Sequence, residues 1–151
     1  MEDSEDLDRC GVGIRGVAMT IDSFVWFALF MVATFAIAIP TGQVEQTADG
    51  VDASLEGTLG ALGFVVWLAL GIGYHTLLEW RSGQTIGKYL VSIRAVSGDG
   101  TPLTLWDSAL RNVARLVDWL PFFYVVGIVT LAVSENHERL GDRLADTAVV
   151  R

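Results

Sequence analysis

Residues 16–39 read GVAMTIDSFVWFALFMVATFAIAI, and across those positions the one charged side chain is Asp22. A run that long and apolar is a helix fit to cross the roughly 30 Å hydrocarbon core of a bilayer. A carboxylate at the centre of such a helix costs about 2.5–3.5 kcal/mol even on the lenient insertion scale, so Asp22 must be answered by protein groups and is the first candidate for function. Two more apolar stretches follow. Residues 58–78 carry no formal charge, and residues 116–133 carry Asp118 near their start. The chain reads as an all-α membrane protein with acids near the membrane.

Composition agrees. Just over half the residues are apolar although the net charge is −8, a combination unusual in soluble domains of this length. Glu2, Asp3, Glu5, Asp6 and Asp8 crowd the start, and residues 1–12 are expected to form an acidic disordered arm ahead of one membrane domain at 13–151. Lys88 is the only lysine among ten basic residues. An acidic, lysine-poor polar surface fits concentrated salt, where screening makes crowded carboxylates tolerable, as in halophile-like compositions; the acidic arm is equally explained as an ordinary solvated tail. Cys10 is the single cysteine, which leaves no intramolecular disulfide and no thiolate metal site. The segment before the first apolar run is acidic and Pro40 ends it without an Ala-x-Ala pattern, so that run reads as a retained helix and not a signal peptide.

The first helix is expected to begin near Gly13–Gly16 and stop before Pro40. The second carries Gly60, Gly63, Gly71 and Gly73 between large side chains, a pattern for close helix packing. Beyond it, residues 89–96 alternate partly in the β manner, residues 97–100 (SGDG) supply a turn, and residues 101–105 return, which predicts a small cytoplasmic β-hairpin. The tail at 147–151 is a further strand and the hairpin's natural partner. Pro121 splits the last apolar region into an amphipathic part at 106–120 and an apolar part at 121–133, each short for an upright crossing. A re-entrant or short helical pair is one outcome; a single kinked third span is the other. The loop at 41–57 lacks Lys and Arg, whereas Arg9, Arg15, Arg81, Lys88, Arg94, Arg139, Arg143 and Arg151 lie elsewhere. The positive-inside rule therefore predicts a multi-pass protein of the cell membrane with both termini cytoplasmic.

Arg15 and Asp22 stand seven residues apart on one face of the first helix, and Arg111, Arg115 and Asp118 share a face of a later one. Glu79, at the end of the second helix, joins them. Arg15, Arg111 and Arg115 are the expected charge partners of Asp22, Asp118 and Glu79, with Arg111 or Arg115 expected on Asp22 itself. The three acids are the candidates for ion binding or proton carrying. An interhelical ion-pair lattice that fixes packing and moves nothing is the competing reading.

Other patterns fail on inspection. GQTIGK at 83–88 has three residues between its glycines and ends in Tyr89, so it is no P-loop. His75 and His137 lack the second ligand of a metal helix and read as polar caps. No nucleophile and base pair is visible. No enzyme activity, cofactor, metal or nucleic-acid partner is expected; the expected partners are the lipid bilayer, a monovalent cation or proton, and further copies of the chain.

Arg15 with Asp22, GQTIGK at 83–88 leading into LVSIRAV at 90–96, LRNVARLVD at 110–118 and RLGDRLADT at 139–147 together closely resemble the RDD family of integral membrane proteins. The resemblance runs over nearly the whole chain from Arg15. It maps the family's arginine and two aspartates to Arg15, Asp22 and Asp118, with Asp142 in a second matching motif. Some members are associated with monovalent cation/proton exchange, so the resemblance implies a transporter or a subunit of one; a non-transporting membrane scaffold or regulatory protein is the alternative.

Overall fold

The computed structural model describes residues 10–119 and 145–150, the side chains of residues 116–119 excepted. The acidic arm at 1–9, the Asp118 side chain, the segment 121–133 that was to complete the re-entrant pair, His137 and the Arg139–Arg143 part of the last motif lie outside the described residues.

The described chain is mostly helical. Helix α1 spans Val12–Thr41 and α2 spans Gly57–Ser82, with 30 and 26 residues. At 1.5 Å per residue these reach about 45 and 39 Å, enough to cross a bilayer by length and composition. Between them lie strands β1, Val44–Thr47, and β2, Gly50–Ala53; α3, Ile86–Leu90, β3, Arg94–Ser97, α4, Leu105–Trp119, and β4, Thr147–Val150, follow. Two compact units divide the chain, one of them Ser23–Gly73 and the other the described residues on either side of it.

In the Ser23–Gly73 unit the helices meet through aromatic rings. Trp67 donates its indole N–H to the Trp26 carbonyl at 3.0 Å, and the two rings pack edge to face at 5.4 Å. A Cβ at Gly71 would overlap the Trp26 ring, so this glycine permits the close approach that its spacing forecast. Phe24, Phe27 and Val65 point outward, as they would toward lipid. The loop between the helices folds back as an antiparallel hairpin, Val44 opposite Ala53 and Thr47 opposite Gly50. Helix α1 passes through Pro40 where the sequence reading ended it. Proline blocks the α conformation of its predecessor by preference only, and Thr41 adds a bond to the Ile37 carbonyl at 2.7 Å.

In the other unit the expected hairpin is corrected. Residues 86–90 form the short helix α3, and β3 pairs with β4 and not with residues 101–105. Arg94 faces Val150 and Ser97 faces Thr147 in antiparallel register, so the predicted pairing of the tail stands. The return at 101–105 fails for a local reason. Asp99 accepts from both the Thr101 N–H at 3.0 Å and its hydroxyl at 2.7 Å, and Pro102 has no N–H to offer a ladder. Residues 104–107 then close a capping box, Thr104 and Asp107 bonding each other's backbone N–H at 3.2 Å, which starts α4. Buried Cys10, Ala18, Ile93 and Val149 make one small apolar cluster, and Val96, Ala148 and Val150 another.

Candidate functional site

The unit that contains β3 and β4 is built inside out. Arg15, Ala18 and Asp22 on α1, His75, Thr76 and Glu79 on α2, and Ser108, Arg111 and Asn112 on α4 are all buried, whereas Val17, Leu77, Trp80, Trp106 and Val113 are exposed. Polar faces turned inward and apolar faces outward suit a hydrocarbon surrounding, which accepts the second and rejects the first.

Asp22, only 4% exposed, accepts three hydrogen bonds: from Thr85 Oγ1 at 2.6 Å, the Gly87 N–H at 2.9 Å and the Tyr74 hydroxyl at 2.9 Å. Tyr74 Oη in turn accepts from the Ile86 N–H at 3.0 Å, and Thr85 Oγ1 from the Lys88 N–H at 3.3 Å. Every backbone donor of the first turn of α3 is thereby capped by a side chain. Gly87 has no room for a side chain; a Cβ there would strike the Ala18 carbonyl and lie 2.9 Å from Asp22 Cγ. The arginine expected on Asp22 is elsewhere. Hydroxyls and an amide meet this carboxylate because the turn into α3, and not α4, packs against its face of α1.

Glu79 is fully buried and takes the charge partners instead. Lys88 Nζ lies 2.5 Å from its Oε1, Arg111 Nε 3.3 Å from its Oε2, and Asn112 Nδ2 donates to Oε2 at 3.2 Å. Burial pulls the Lys88 ammonium from its ordinary 10.5 down to about 8; Glu79 opposes that fall and Arg111 and Arg115 add to it. Arg111 also donates to Thr147 Oγ1 at 2.9 Å, tying α4 to β4. Arg15 reaches the Val149 carbonyl at 3.5 Å.

Arg115 donates to His75 Nδ1 at 2.9 Å. A guanidinium has no acceptor, so that ring nitrogen is unprotonated and the imidazole proton sits on Nε2. His75 is thus a buried acceptor and not the polar cap expected. Ser108 Oγ donates to the Thr76 carbonyl at 2.9 Å, and Asn112 Nδ2 to the Ser108 carbonyl at 2.9 Å, which completes a polar seam between α2 and α4. Thr76 Oγ1 and Asn112 Oδ1 are buried in it without a hydrogen-bond partner among the described residues. Among the described residues no group of three or more His, Cys, Asp or Glu side chains could hold a metal ion.

The structure therefore brings Glu79 and Arg111 together, gives Arg115 to His75 and Arg15 to β4, and sets Asp22 in a separate cap; Asp118 is not described. Lys88, Tyr74, Thr85 and Asn112 were missed as site residues. Lys88 had a signal, being the lone lysine and lying inside GQTIGK. That motif works as a clasp: Thr85 caps, Gly87 admits the close approach, and Lys88 enters to reach Glu79.

A buried polar core and, among the described residues, two helices long and apolar enough to span point to a class, the membrane proteins. Residues 9–146 match the RDD family, and the chain belongs to it. No curated protein and no solved structure matches the chain.

Proposed function

We propose that this RDD protein exchanges a proton for a monovalent cation across the membrane, with the Glu79–Lys88 pair as its proton-carrying site. One observation supports the reading above others: a fully buried carboxylate is held by the chain's only lysine at 2.5 Å. A lysine drawn down to about 8 gains and loses its proton near neutral pH. Proton loss removes one positive charge from the buried cluster, and a monovalent cation entering the membrane domain restores it. The exchange is then one for one and electroneutral. The two candidate spans among the described residues cannot enclose a path alone, so the active form is a homo-oligomer with polar faces meeting. It sits in the cell membrane with both termini cytoplasmic and performs no enzymatic chemistry.

Asp22 favours the second reading, a membrane scaffold. Its carboxylate already accepts three protein donors and is spent on holding α3. Flux in vesicles separates the two. Purified protein in proteoliposomes, given an inward sodium or potassium gradient with a pH dye inside, is expected to show cation-dependent proton efflux. Glu79→Gln and the double variant Glu79→Gln/Lys88→Met, which removes both charges together, are expected to lose it at matched protein density. Zero flux in every sample would favour the scaffold; robust flux in the double variant would keep the transporter and remove this pair from it.

A further inference from the structure

Helix α4 has its polarity reversed for a surface helix of a soluble protein. Ser108, Arg111 and Asn112 are buried against α2 and β4, while Leu105, Trp106 and Val113 face outward; Trp106, at 73%, is the most exposed large apolar side chain among the described residues. Helix α3 repeats the arrangement in five residues, burying Gly87 and Lys88 and exposing Ile86, Tyr89 and Leu90. In water both outward faces would be unfavourable.

The hydrogen bonds of α4 fix its depth. They reach His75, Thr76 and Glu79, which lie within the last two turns of α2 before Ser82. A 26-residue helix is about 39 Å long against about 30 Å of hydrocarbon, so a centred span leaves roughly 4–5 Å at each end. Glu79 then sits at the edge of the hydrocarbon and His75 about 6 Å inside it. Arg81 and Trp80, both exposed beside them, are the residue types found at that level. The described part of α4 has 15 residues, about 22 Å, shorter than the hydrocarbon is thick.

From this we infer that α4 lies in the bilayer interface, with Leu105, Trp106 and Val113 among the upper acyl chains, and that the exposed side of α3 rests in the same layer. The occupant of both apolar faces is lipid. The inference rests on the membrane reading of α1 and α2 and adds a third contact with lipid that anchors the buried charge cluster at one membrane surface. The placement also gives Lys88 and Glu79 a position near the aqueous boundary without exposing them to it.

Site-directed spin labelling in liposomes tests this in a Cys10→Ser background. Single cysteines at Leu105, Trp106 and Val113 are labelled, with Phe27 as the reference for lipid and Asp49 as the reference for water. Collision with oxygen is expected to be high and collision with a water-soluble nickel chelate several-fold lower than at Asp49 for all three sites. Nickel collision equal to Asp49 at these sites, with Phe27 still shielded, would overturn the lipid contact while leaving the spans intact. Nickel access at Phe27 would instead remove the membrane reading itself. Strong dipolar broadening between copies at Trp106 or Val113, relieved by dilution with unlabelled protein, would assign the face to a second copy and overturn lipid as its occupant.

Discussion

At the start of α3 three successive backbone donors find side-chain acceptors, Ile86 on Tyr74, Gly87 on Asp22 and Lys88 on Thr85. Asp22 is the keystone, because its two oxygens also hold the Tyr74 and Thr85 hydroxyls that act as the other two acceptors. Asp22→Asn keeps one acceptor oxygen and turns a donor toward Thr85, whereas Asp22→Ala leaves buried donors unmet. The expected losses are about 1 and about 3 kcal/mol, read as stepwise falls in unfolding midpoint in detergent. Gly87→Ala, forced against the Ala18 carbonyl, is expected to be at least as harmful as Asp22→Ala. Lys88 gives a pH signature. Its folded value of about 8 lies below the ordinary 10.5, so between those values the unfolded chain binds the extra proton and stability rises with pH. Melts at matched ionic strength from pH 7.5 to 10 are expected to show that rise, and Lys88→Met to flatten it. At this scale the sequence disclosed which residue types matter and not whom they meet. Asp22, Glu79 and Arg111 were recognisable because charge is rare in apolar helices. Their partners depend on which element packs on which face, and no spacing within one helix carries that information.

Among the elements, α1 and α2 were legible because hydropathy over twenty residues outweighs any local preference, and α4 because its polar and apolar residues separate at helical spacing. The hairpin in the first loop was missed although Ala48 and Asp49 before Gly50, set between Val44 and Ala53, are a recognisable turn signal. Helix α3 was hidden for a better reason: five residues with a glycine inside have little intrinsic helicity, and the caps that stabilise them come from Asp22, sixty-odd residues away, and from Tyr74. Strand β4 is buried at all four positions, and its ladder partner β3 is also held by the Ala95 N–H on the Gly83 carbonyl at 2.7 Å. The two strands therefore fasten the end of α2 to the tail. Stopping the chain after Asp146 is expected to expose Ile93 and Val96 and to lose the burial of Val149 and Val150, about 3 kcal/mol or more. Hydrogen exchange at Arg94–Ser97 should then approach that of an unpaired segment; retained protection there would mean that Gly83, and not β4, holds the strand.

For the molecule as a whole, one backbone bond constrains any membrane topology. The Cys10 N–H donates to the Val149 carbonyl at 3.0 Å, so the residue that precedes α1 and the strand near the other end of the chain lie side by side. Arg15 reaches the same carbonyl from the first turn of α1. Two points so joined cannot lie on opposite sides of a bilayer, and the chain between them must cross an even number of times. Helices α1 and α2 are long and apolar enough to supply two crossings. The loop at 41–57 has no Lys or Arg, while Arg81, Lys88 and Arg94 lie in the unit that contains β3 and β4. The basic unit should face the cytoplasm and the β1–β2 hairpin the outside. In a Cys10→Ser background, Asp49→Cys is expected to react with an impermeant maleimide on intact cells, and a cysteine appended after Arg151 only once the cells are opened. External reaction of the appended cysteine together with Asp49→Cys would contradict the side-by-side placement of Cys10 and Val149 on which the even count rests.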